Sequence, residues 1–327
     1  MSSEFDLIKR IQQRIPQRSD VVTGIGDDAC VLEPSVDHQL VCTADSIVLD
    51  CHFTEDWPAQ DVGHVAMAVN LSDLAAMGAL PRWVMLSLTL PNHAPWTQPP
   101  WLDKFLDGFL GACPDVILTG GNMAGGPLNI GVCLMGEVPS GQAIMRSGAQ
   151  PGDALVVTGH LGDVAGALAL SDQGGIVDGP LERRMKHPTP RVRVGQQAWG
   201  VVHAMIDISD GLLADLGHML EASSNQRMSA LGAALWLETL PASAGLMEAF
   251  PDPKTRWPLQ LGGGSDYELL MSVPSSQIEA WLHSLHQMDV PASVIGRVVE
   301  TPGIDLIQPD GQRYDAPLAG WDHFRST

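Results

Sequence analysis

Carboxylate side chains occur at three places in the first third of the sequence where an ordinary apolar core would exclude them. Asp27 and Asp28 follow two glycines in GIGDDACVL and lead into an apolar stretch, a pattern that by itself favours a solvated turn. Asp45 lies at or near the end of the otherwise apolar strand VCTADSIV. Asp73 lies in the helix HVAMAVNLSDLAAMGA, which is apolar on almost every side, and shares a helical face with Asn70. A buried carboxylate there needs a cation, which favours a binding function.

A fourth acidic segment, MIDISDGLLADLGHM, joins a strand end to a helix start. Asp207 ends the strand, Ser209 or Asp210 can cap the helix, and Asp215 follows within it. Taken alone, this segment fits one capping and one solvated acid as well as it fits a ligand site. Taken together, carboxylates converging at strand ends and helix starts would repel one another unless cations held them. Mg²⁺ is the usual partner, and it keeps coordination positions for waters and substrate phosphates.

Two glycine-rich segments predict contacts with phosphate groups. In ILTGGNMAGGP we expect a strand to run into a glycine-rich turn centred on Asn122, and QLGGGSDYEL has the same character. Glycine lets backbone N–H groups approach phosphate oxygens. Neither the P-loop motif nor a helix-opening G-x-G-x-x-G occurs, which disfavours those nucleotide-binding classes. Positive charge must then come from metal ions and arginine, with Arg146 and the basic loop ERRMKHPTPRVRVG as candidates; that loop is equally typical of a solvated patch.

The elements that must position these residues alternate between helices and strands. Hydrophobic periodicity predicts helices over residues 4–15, 57–77, 101–110 and 163–170, and in DGLLADLGHML. Apolar runs such as RWVMLSLTLP, DVILTGG, NIGVCLMGEV and ALVVTG predict strands. We therefore expect an α/β fold of mixed α+β type, in two domains because 327 residues exceed one ordinary core. A turn at Gly148, Pro151 and Gly152 divides them into residues 1–147 and 148–327.

The charge balance narrows the range of partners. The chain has 38 acidic and 18 basic residues, a formal charge of −20, and would repel nucleic acid and anionic membranes. No apolar run is long enough to span a bilayer, and the first residues lack the apolar core of a signal peptide. The five cysteines show no metal-type spacing, so we expect free thiols and a cytoplasmic location.

Nine short segments carry a further signal through their order and spacing. They are GIGDDACVL, TADSIVLDCHF, AVNLSDLAAMGA, LTGGNMAGGP, RSGAQPGD, HPTPR, IDISDGLLADLGH, GGGSDYEL and GWDHF. In this order the chain resembles the thiamine-monophosphate kinases, of the aminoimidazole ribonucleotide synthetase superfamily, over nearly its whole length. The resemblance implies that superfamily's two-domain fold, with an N-terminal sheet that pairs in a homodimer and a C-terminal mixed sheet with helices. It also implies transfer of the ATP γ-phosphoryl group to thiamine monophosphate with the help of Mg²⁺.

The resemblance assigns roles to individual positions. Metal-ligand positions match Asp28, Asp45, Asp73, Asn122, Asp207 and Asp210. Nucleotide-binding positions match Thr43, Ala44, Gly121, Arg146 and Ser209. Positions that hold the thiamine substrate match His52, Ser265 and Trp321. No protein nucleophile is implied, because phosphoryl transfer needs mainly positioning and charge neutralisation.

Three positions depart from the family pattern. Asn122 stands where the family has a metal-binding Asp, Ser265 stands where it has a substrate-contacting Glu, and Ala44 replaces a hydroxyl residue. Asn122 still offers a carbonyl oxygen but removes one negative charge, and Ser265 reaches less far than Glu. We therefore favour a working or weakened kinase. The alternatives are a homologue that binds nucleotide or thiamine phosphate without catalysis, and a superfamily member with another phosphate acceptor.

Overall fold

The structure, a computed structural model, describes residues 4–172 and 179–316. The predicted substrate residue Trp321 lies outside the described residues. The chain forms two compact units. The amino-terminal unit comprises the chain up to Leu74 together with Ala79–Ala143, and the carboxyl-terminal unit comprises Ala75–Gly78 and the chain from Ile144 onward. The domain boundary between residues 147 and 148 stays a prediction.

The amino-terminal unit is built on a four-stranded mixed sheet with the strand order β3-β6-β4-β5. Its elements are α1 (Glu4–Gln12), β1 (Val21–Thr23), β2 (Val31–Leu32), β3 (His38–Val48), α2 (Ala59–Ala76), β4 (Leu80–Leu90), α3 (Pro99–Gly111), β5 (Ile117–Gly125) and β6 (Asn129–Pro139). Strand β6 pairs antiparallel with both β3 and β4, whereas β4 and β5 are parallel. Strands β1 and β2 form a separate two-stranded sheet.

The two faces of the four-stranded sheet differ in burial. On one face, Val132 and Leu86 are 3% and 4% exposed and belong to the apolar core; we call it the inner face. On the outer face, Ser46 pairs with Gly131 and Gly131 pairs with Ser87, and both serines are exposed. Because side chains alternate along each strand, neighbouring residues of one strand point to opposite faces.

Strand β5 corrects the prediction of a glycine-rich turn in ILTGGNMAGGP. The strand continues through the glycines to Gly125, because β4 pairs with it in parallel as far as Leu90. Gly121 is needed for this close approach, since a Cβ atom there would lie 1.9 Å from the carbonyl oxygen of Leu86. Gly121 therefore serves strand packing.

The carboxyl-terminal unit is built on a six-stranded mixed sheet with the order β12-β9-β11-β7-β10-β8. Its elements are β7 (Ala154–Thr158), α4 (Asp163–Asp172), α5 (Gly179–Lys186), α6 (Val192–Gln197), β8 (Ala204–Asp207), α7 (Leu212–Arg227), β9 (Gly232–Trp236), α8 (Ala244–Ala249), α9 (Pro253–Gly262), β10 (Leu269–Val273), α10 (Ile278–Gln287), β11 (Ala292–Val299) and β12 (Gly303–Ile307). Apolar clusters pack around this sheet, and every residue of β7 is buried.

The expected α/β architecture with a mixed, helix-covered carboxyl-terminal sheet is confirmed. The basic segment predicted as a loop is instead partly helical: its first five residues belong to α5, which ends at Lys186, and its last four residues begin α6. Within the two described ranges, no helix is both long and apolar enough to cross a membrane.

Candidate functional site

In the amino-terminal unit, α2 and β3 bring three of the predicted site residues together. The hydroxyl of Thr43 on β3 donates a short hydrogen bond of 2.5 Å to Oδ2 of Asp73 on α2. The backbone N–H of Asp45 donates to Oδ1 of Asn70 at 3.1 Å. Asn70 is completely buried, and its amide nitrogen donates to the carbonyl of Ala66 at 3.0 Å. The helix face shared by Asn70 and Asp73 is thus fastened to the strand that carries Thr43 and Asp45.

Two further predicted residues of this unit lie in loops. Asp28 is exposed between β1 and β2, and its backbone N–H donates to Oδ1 of Asp27 at 2.8 Å, as expected in an acidic turn. His52 closes the turn after β3. The Nδ1 atom of its ring accepts from the backbone N–H of Val48 at 3.1 Å, and the backbone N–H of His52 donates to the Val48 carbonyl at 3.0 Å.

The structure does not bring Asn122 to Asp45 within one chain. Asn122 pairs with Ser87 and so belongs to the outer face, whereas Asp45 pairs with Val132 and belongs to the inner face. Strands β6 and β4 lie between their strands, a lateral separation of about 14 Å at ordinary strand spacing. Ala44 also belongs to the outer face, opposite Cys133. A metal role for Asn122 stays a prediction.

In the carboxyl-terminal unit, two loops bring four predicted residues together. Asp207 ends β8 and is 7% exposed, and Ser209 and Asp210 form the turn before α7. The backbone N–H of Ser265 donates to the carbonyl of Ser209 at 2.7 Å. Ser265 has a φ of 65°, a left-handed conformation that non-glycine residues rarely adopt outside functional or strongly constrained loops.

A residue without a predicted role, Asp215, binds the turn before α7 from within. Its Oδ2 accepts from the backbone N–H groups of Ser209, Asp210 and Gly211, each at 3.1 Å. Burial raises the pKa of Asp215 to about 7; the charge of Asp210 acts in the same direction, and the three hydrogen bonds oppose it.

Five backbone donors of these loops are engaged inside the protein. The three N–H groups of the turn point to Asp215, and those of Ser265 and Tyr267 point to the carbonyls of Ser209 and Ile208. For the glycines of QLGGGSDYEL, backbone contact with phosphate stays a prediction, but the N–H groups of Ser265 and Tyr267 are not available for it. What these residues offer a ligand is their side chains.

Glu268 is a residue that the sequence interpretation missed. It is 1% exposed and accepts from Nε and Nη2 of Arg191 at 2.6 and 2.7 Å, and from Nη2 of Arg184 at 2.9 Å. The hydroxyl of Thr158 adds a bond of 2.6 Å. Arg184 and Arg191, considered as phosphate ligands, are thus held by an internal carboxylate. An acid between a glycine-rich loop and an apolar strand was the available signal.

Asp266 neighbours Ser265 and is also buried. Both its carboxylate oxygens accept from the backbone N–H of Gly162 at 3.0 Å, and Nη2 of Arg184 donates to its carbonyl at 2.8 Å. Burial raises the pKa of Asp266 well above its ordinary value. Arg146, in contrast, lies exposed near the start of the carboxyl-terminal unit.

The oxygen donors on β3 and α2 form an incomplete ligand set for Mg²⁺. In the described ranges, no group of three or more His, Cys, Asp and Glu side chains is arranged to hold a metal ion. Asp45, Asn70 and Asp73 nevertheless offer oxygen donors on adjoining elements. Mg²⁺ is usually held by one or two carboxylates together with substrate phosphates rather than by a complete protein cage. The residues present fit a cation that arrives with a nucleotide.

Comparison with known proteins assigns the chain to a family. AIR synthase related protein, N-terminal domain, matches residues 26–138, and its C-terminal counterpart matches residues 150–308. Thiamine-monophosphate kinase of Salmonella typhimurium is 38% identical over 98% of both chains. A crystal structure of thiamine-monophosphate kinase from Stenotrophomonas maltophilia is 39% identical, with a TM-score of 0.84 over 95% of this chain and 98% of that one. AaThiL complexed with AMPPCP and TMP is 29% identical, with a TM-score of 0.75 over 98% and 96%. This chain belongs to the thiamine-monophosphate kinase family.

Proposed function

We propose that this protein is a thiamine-monophosphate kinase, which transfers the γ-phosphoryl group of ATP to thiamine monophosphate and releases thiamine diphosphate and ADP. The observation that carries the proposal is a pair of hydrogen bonds between β3 and α2 in a chain that matches the family over nearly its whole length. One joins Thr43 to Asp73, and the other joins Asp45 to Asn70. A related enzyme binds AMPPCP and TMP, an ATP analogue and the phosphate acceptor together.

The acidic side chains are the residues we assign to Mg²⁺. Asp45 and Asp73 would hold Mg²⁺ in the amino-terminal unit, and Asp207 and Asp210 are assigned to Mg²⁺ separately in the carboxyl-terminal unit. Bound Mg²⁺ supplies positive charge to the nucleotide phosphates. Thr43 fixes the orientation of the Asp73 carboxylate, and Asn70 fixes the backbone at Asp45. These contacts hold the two metal-binding aspartates in place before the nucleotide arrives, so less conformational freedom is lost when Mg²⁺ and nucleotide bind.

The reaction needs no protein nucleophile. A phosphate oxygen of thiamine monophosphate attacks the γ-phosphorus, and the bond from that phosphorus to the β–γ bridging oxygen breaks. The attacking oxygen is already anionic, so a general base would contribute little. The tasks left to the side chains are holding both substrates in line and excluding water. We assign substrate contacts to His52 and Ser265, and nucleotide contacts to Thr43, Arg146 and Ser209.

We further propose a homodimer that pairs through the outer face of the four-stranded sheet. Its register places Leu40, Cys42, Ala44, Met85 and Cys133 on this face. Leu40 is 49% exposed, and Cys42 and Ala44 are also exposed. A sheet face with small and apolar side chains and little cover is typical of a protein interface. Light scattering should give twice the monomer mass, and Leu40→Asp should lower it.

A cytoplasmic location is supported by the cysteines. All five are free thiols, which is usual in a reducing compartment. That nucleic acid and membranes are not partners stays a prediction from the charge of −20.

The direct test is the kinase reaction with purified protein. ATP, MgCl₂ and thiamine monophosphate should yield thiamine diphosphate and ADP in equal amounts, and excess EDTA should stop the reaction. Asp73→Asn should greatly reduce the rate, whereas Asp115→Asn, an exposed loop substitution, should not. Absence of thiamine diphosphate at every Mg²⁺ concentration would refute the proposal. Nucleotide binding without turnover would then favour the binding-only alternative, with Asn122 and Ser265 as the first positions to change.

A further inference from the structure

We propose that Asp215 is a positioning residue for the Mg²⁺–nucleotide site, because its carboxylate holds the turn that presents Ser209 and Asp210. The inference rests on the proposed function for the roles of those two side chains. It goes beyond that function in assigning a task to a residue that does not itself reach the ligand. Asp215 is 2% exposed, so its action must pass through the turn.

Three hydrogen bonds join the turn before α7 to the carboxylate of Asp215. One carboxylate oxygen, Oδ2, accepts from the consecutive N–H groups of Ser209, Asp210 and Gly211 at 3.1 Å. Three successive amides converging on one anion form a concave nest of the type that elsewhere binds phosphate. Here an internal carboxylate fills the nest, so the turn is ordered without a ligand.

The residue at the N-cap of α7 has no side chain that could order the start of the helix. Helix N-termini are normally capped by the side chain of the N-cap residue. The N-cap of α7 is Gly211, with a φ of 115° and no side chain to offer. A Cβ atom there would lie 2.9 Å from the backbone of Gly262, so the packing excludes an ordinary capping residue. Asp215, one helical turn later, does not replace that acceptor; its carboxylate reaches back to the N–H of Gly211 and of the two residues before it, as the acid of a capping box reaches back to the N-cap N–H.

The glycine-rich loop holds the same turn through its carbonyl groups. The carbonyl of Ser209 accepts from the N–H of Ser265 at 2.7 Å, and that of Ile208 accepts from Tyr267 at 2.8 Å. The turn is therefore held by Asp215 at its N–H groups and by the glycine-rich loop at its carbonyls. Loss of Asp215 removes one of these two restraints while the other remains, so we expect a looser turn in a folded protein.

The test separates geometry from charge. Asp215→Asn keeps an oxygen at the same reach and removes the charge, whereas Asp215→Glu keeps the charge and displaces the carboxylate by one methylene. A positioning role predicts that Asp215→Asn retains the order of the turn and the nucleotide affinity, and that Asp215→Glu does not. A purely electrostatic role predicts the opposite order. Asp215→Ala removes the acceptor altogether.

Asp153 provides the matched control. It is 4% exposed, and its Oδ2 accepts from the N–H of Gln150 at 2.9 Å and from the hydroxyl of Ser272 at 2.6 Å. It precedes β7, at the opposite end of the strands from Asp207, about 17 Å away along the strand direction at ordinary strand rise. Asp153→Ala should lower the melting temperature without loosening the turn.

Two measurements are made on each full-length variant. Hydrogen–deuterium exchange reports the amides of residues 209–211 without ligand, and calorimetric titration with AMPPNP and MgCl₂ reports nucleotide affinity. Asp215→Ala and Asp215→Glu should each speed exchange and weaken binding by about tenfold, the effect of leaving a backbone N–H group without its acceptor. Asp215→Asn should stay within about threefold of the unmodified protein.

Three results would overturn the inference. Unchanged exchange in Asp215→Ala, or in Asp215→Glu if the alanine variant does not fold, would show that Asp215 does not hold the turn. Faster exchange with unchanged nucleotide affinity would show that the turn does not position the nucleotide. Equal loss of affinity in Asp153→Ala would show a general effect on folding. If the unmodified protein binds no nucleotide, the proposed function fails and the nucleotide role of Asp215 fails with it, while exchange still decides its hold on the turn.

Discussion

Replacing Glu268 by glutamine should destabilise the carboxyl-terminal unit more than any exposed charge substitution. The side chain is 1% exposed and receives three hydrogen bonds from two guanidinium groups, at 2.6, 2.7 and 2.9 Å. Glutamine keeps the shape, removes the charge and turns one acceptor into a donor that faces an arginine. Arg184 and Arg191 would then remain in a polar cluster without their counter-ion.

The expected loss of unfolding free energy is about 3 kcal/mol, the lower end of the range for removing one partner of a buried ion pair. The lower end applies because the Arg184 and Arg191 side chains are 20% and 16% exposed and can reach water. For a unit of this size that loss lowers the melting temperature by about 6–12 °C.

Scanning calorimetry on the full chain measures this loss, and Glu182→Gln is the control. Glu182 pairs with Lys186 at 2.7 Å within α5 and its side chain is 35% exposed. That substitution should lower stability by no more than about 0.5 kcal/mol, as for other i,i+4 helical ion pairs whose acidic side chain can reach water. If Glu268→Gln lowers stability by less than about 1 kcal/mol, or no more than Glu182→Gln does, the ion cluster contributes little and the reasoning is wrong.

Three other substitutions test separate features. Gly63→Ala should destabilise by about 2–3 kcal/mol in chemical denaturation, because its Cβ would lie 2.0 Å from the carbonyl of Phe105, whereas Gly111→Ala has open space and should be nearly neutral. Asp266→Asn tests pH dependence: burial raises the pKa of Asp266, so its contribution to stability is complete below about pH 4 and is lost as the pH rises. The asparagine variant should therefore gain melting temperature relative to the unmodified protein between pH 4.5 and 8, and a relative loss would contradict this sign. Asn122→Asp tests the metal role that the family resemblance implies and that the geometry of one chain does not support: as a metal ligand the added carboxylate should lower the Mg²⁺ concentration for half-maximal thiamine diphosphate formation, and an unchanged requirement would remove Asn122 from the metal site.

The regular elements were largely predictable because their patterns are local. The apolar periodicity around Asp73 predicted a helix over residues 57–77, and α2 spans Ala59–Ala76. Asp207 was expected to end a strand and does so. The glycine-rich segment around Asn122 was misread because glycine favours turns locally, whereas its conformation here is set by pairing with β4.

The candidate site was predictable only in part, since its geometry depends on contacts between distant segments. The link from Thr43 to Asp73 joins residues whose proximity requires β3 and α2 to pack together. The role of Glu268 depends on Arg191 and Arg184, which are 77 and 84 residues away in sequence. The amides that Asp215 binds are only four to six residues upstream, but their convergence on one oxygen follows from the conformation of the turn, which their spacing does not encode. Both residues were therefore overlooked or left without a role.

Local composition and pattern thus account for the supply of carboxylates, the absence of a P-loop lysine, the helices and strands, and the family likeness. Tertiary structure decided which carboxylates share a location. A shift of one residue in strand register moves a side chain to the opposite face, so pairing alone places Asn122 on the outer face and Asp45 on the inner one. Burial, likewise a property of the folded chain, raises the pKa of Asp266. Packing also brings Arg184 and Arg191 to the buried carboxylate of Glu268. Those effects arise from low local polarity and fixed distances, which exist only once the segments have packed.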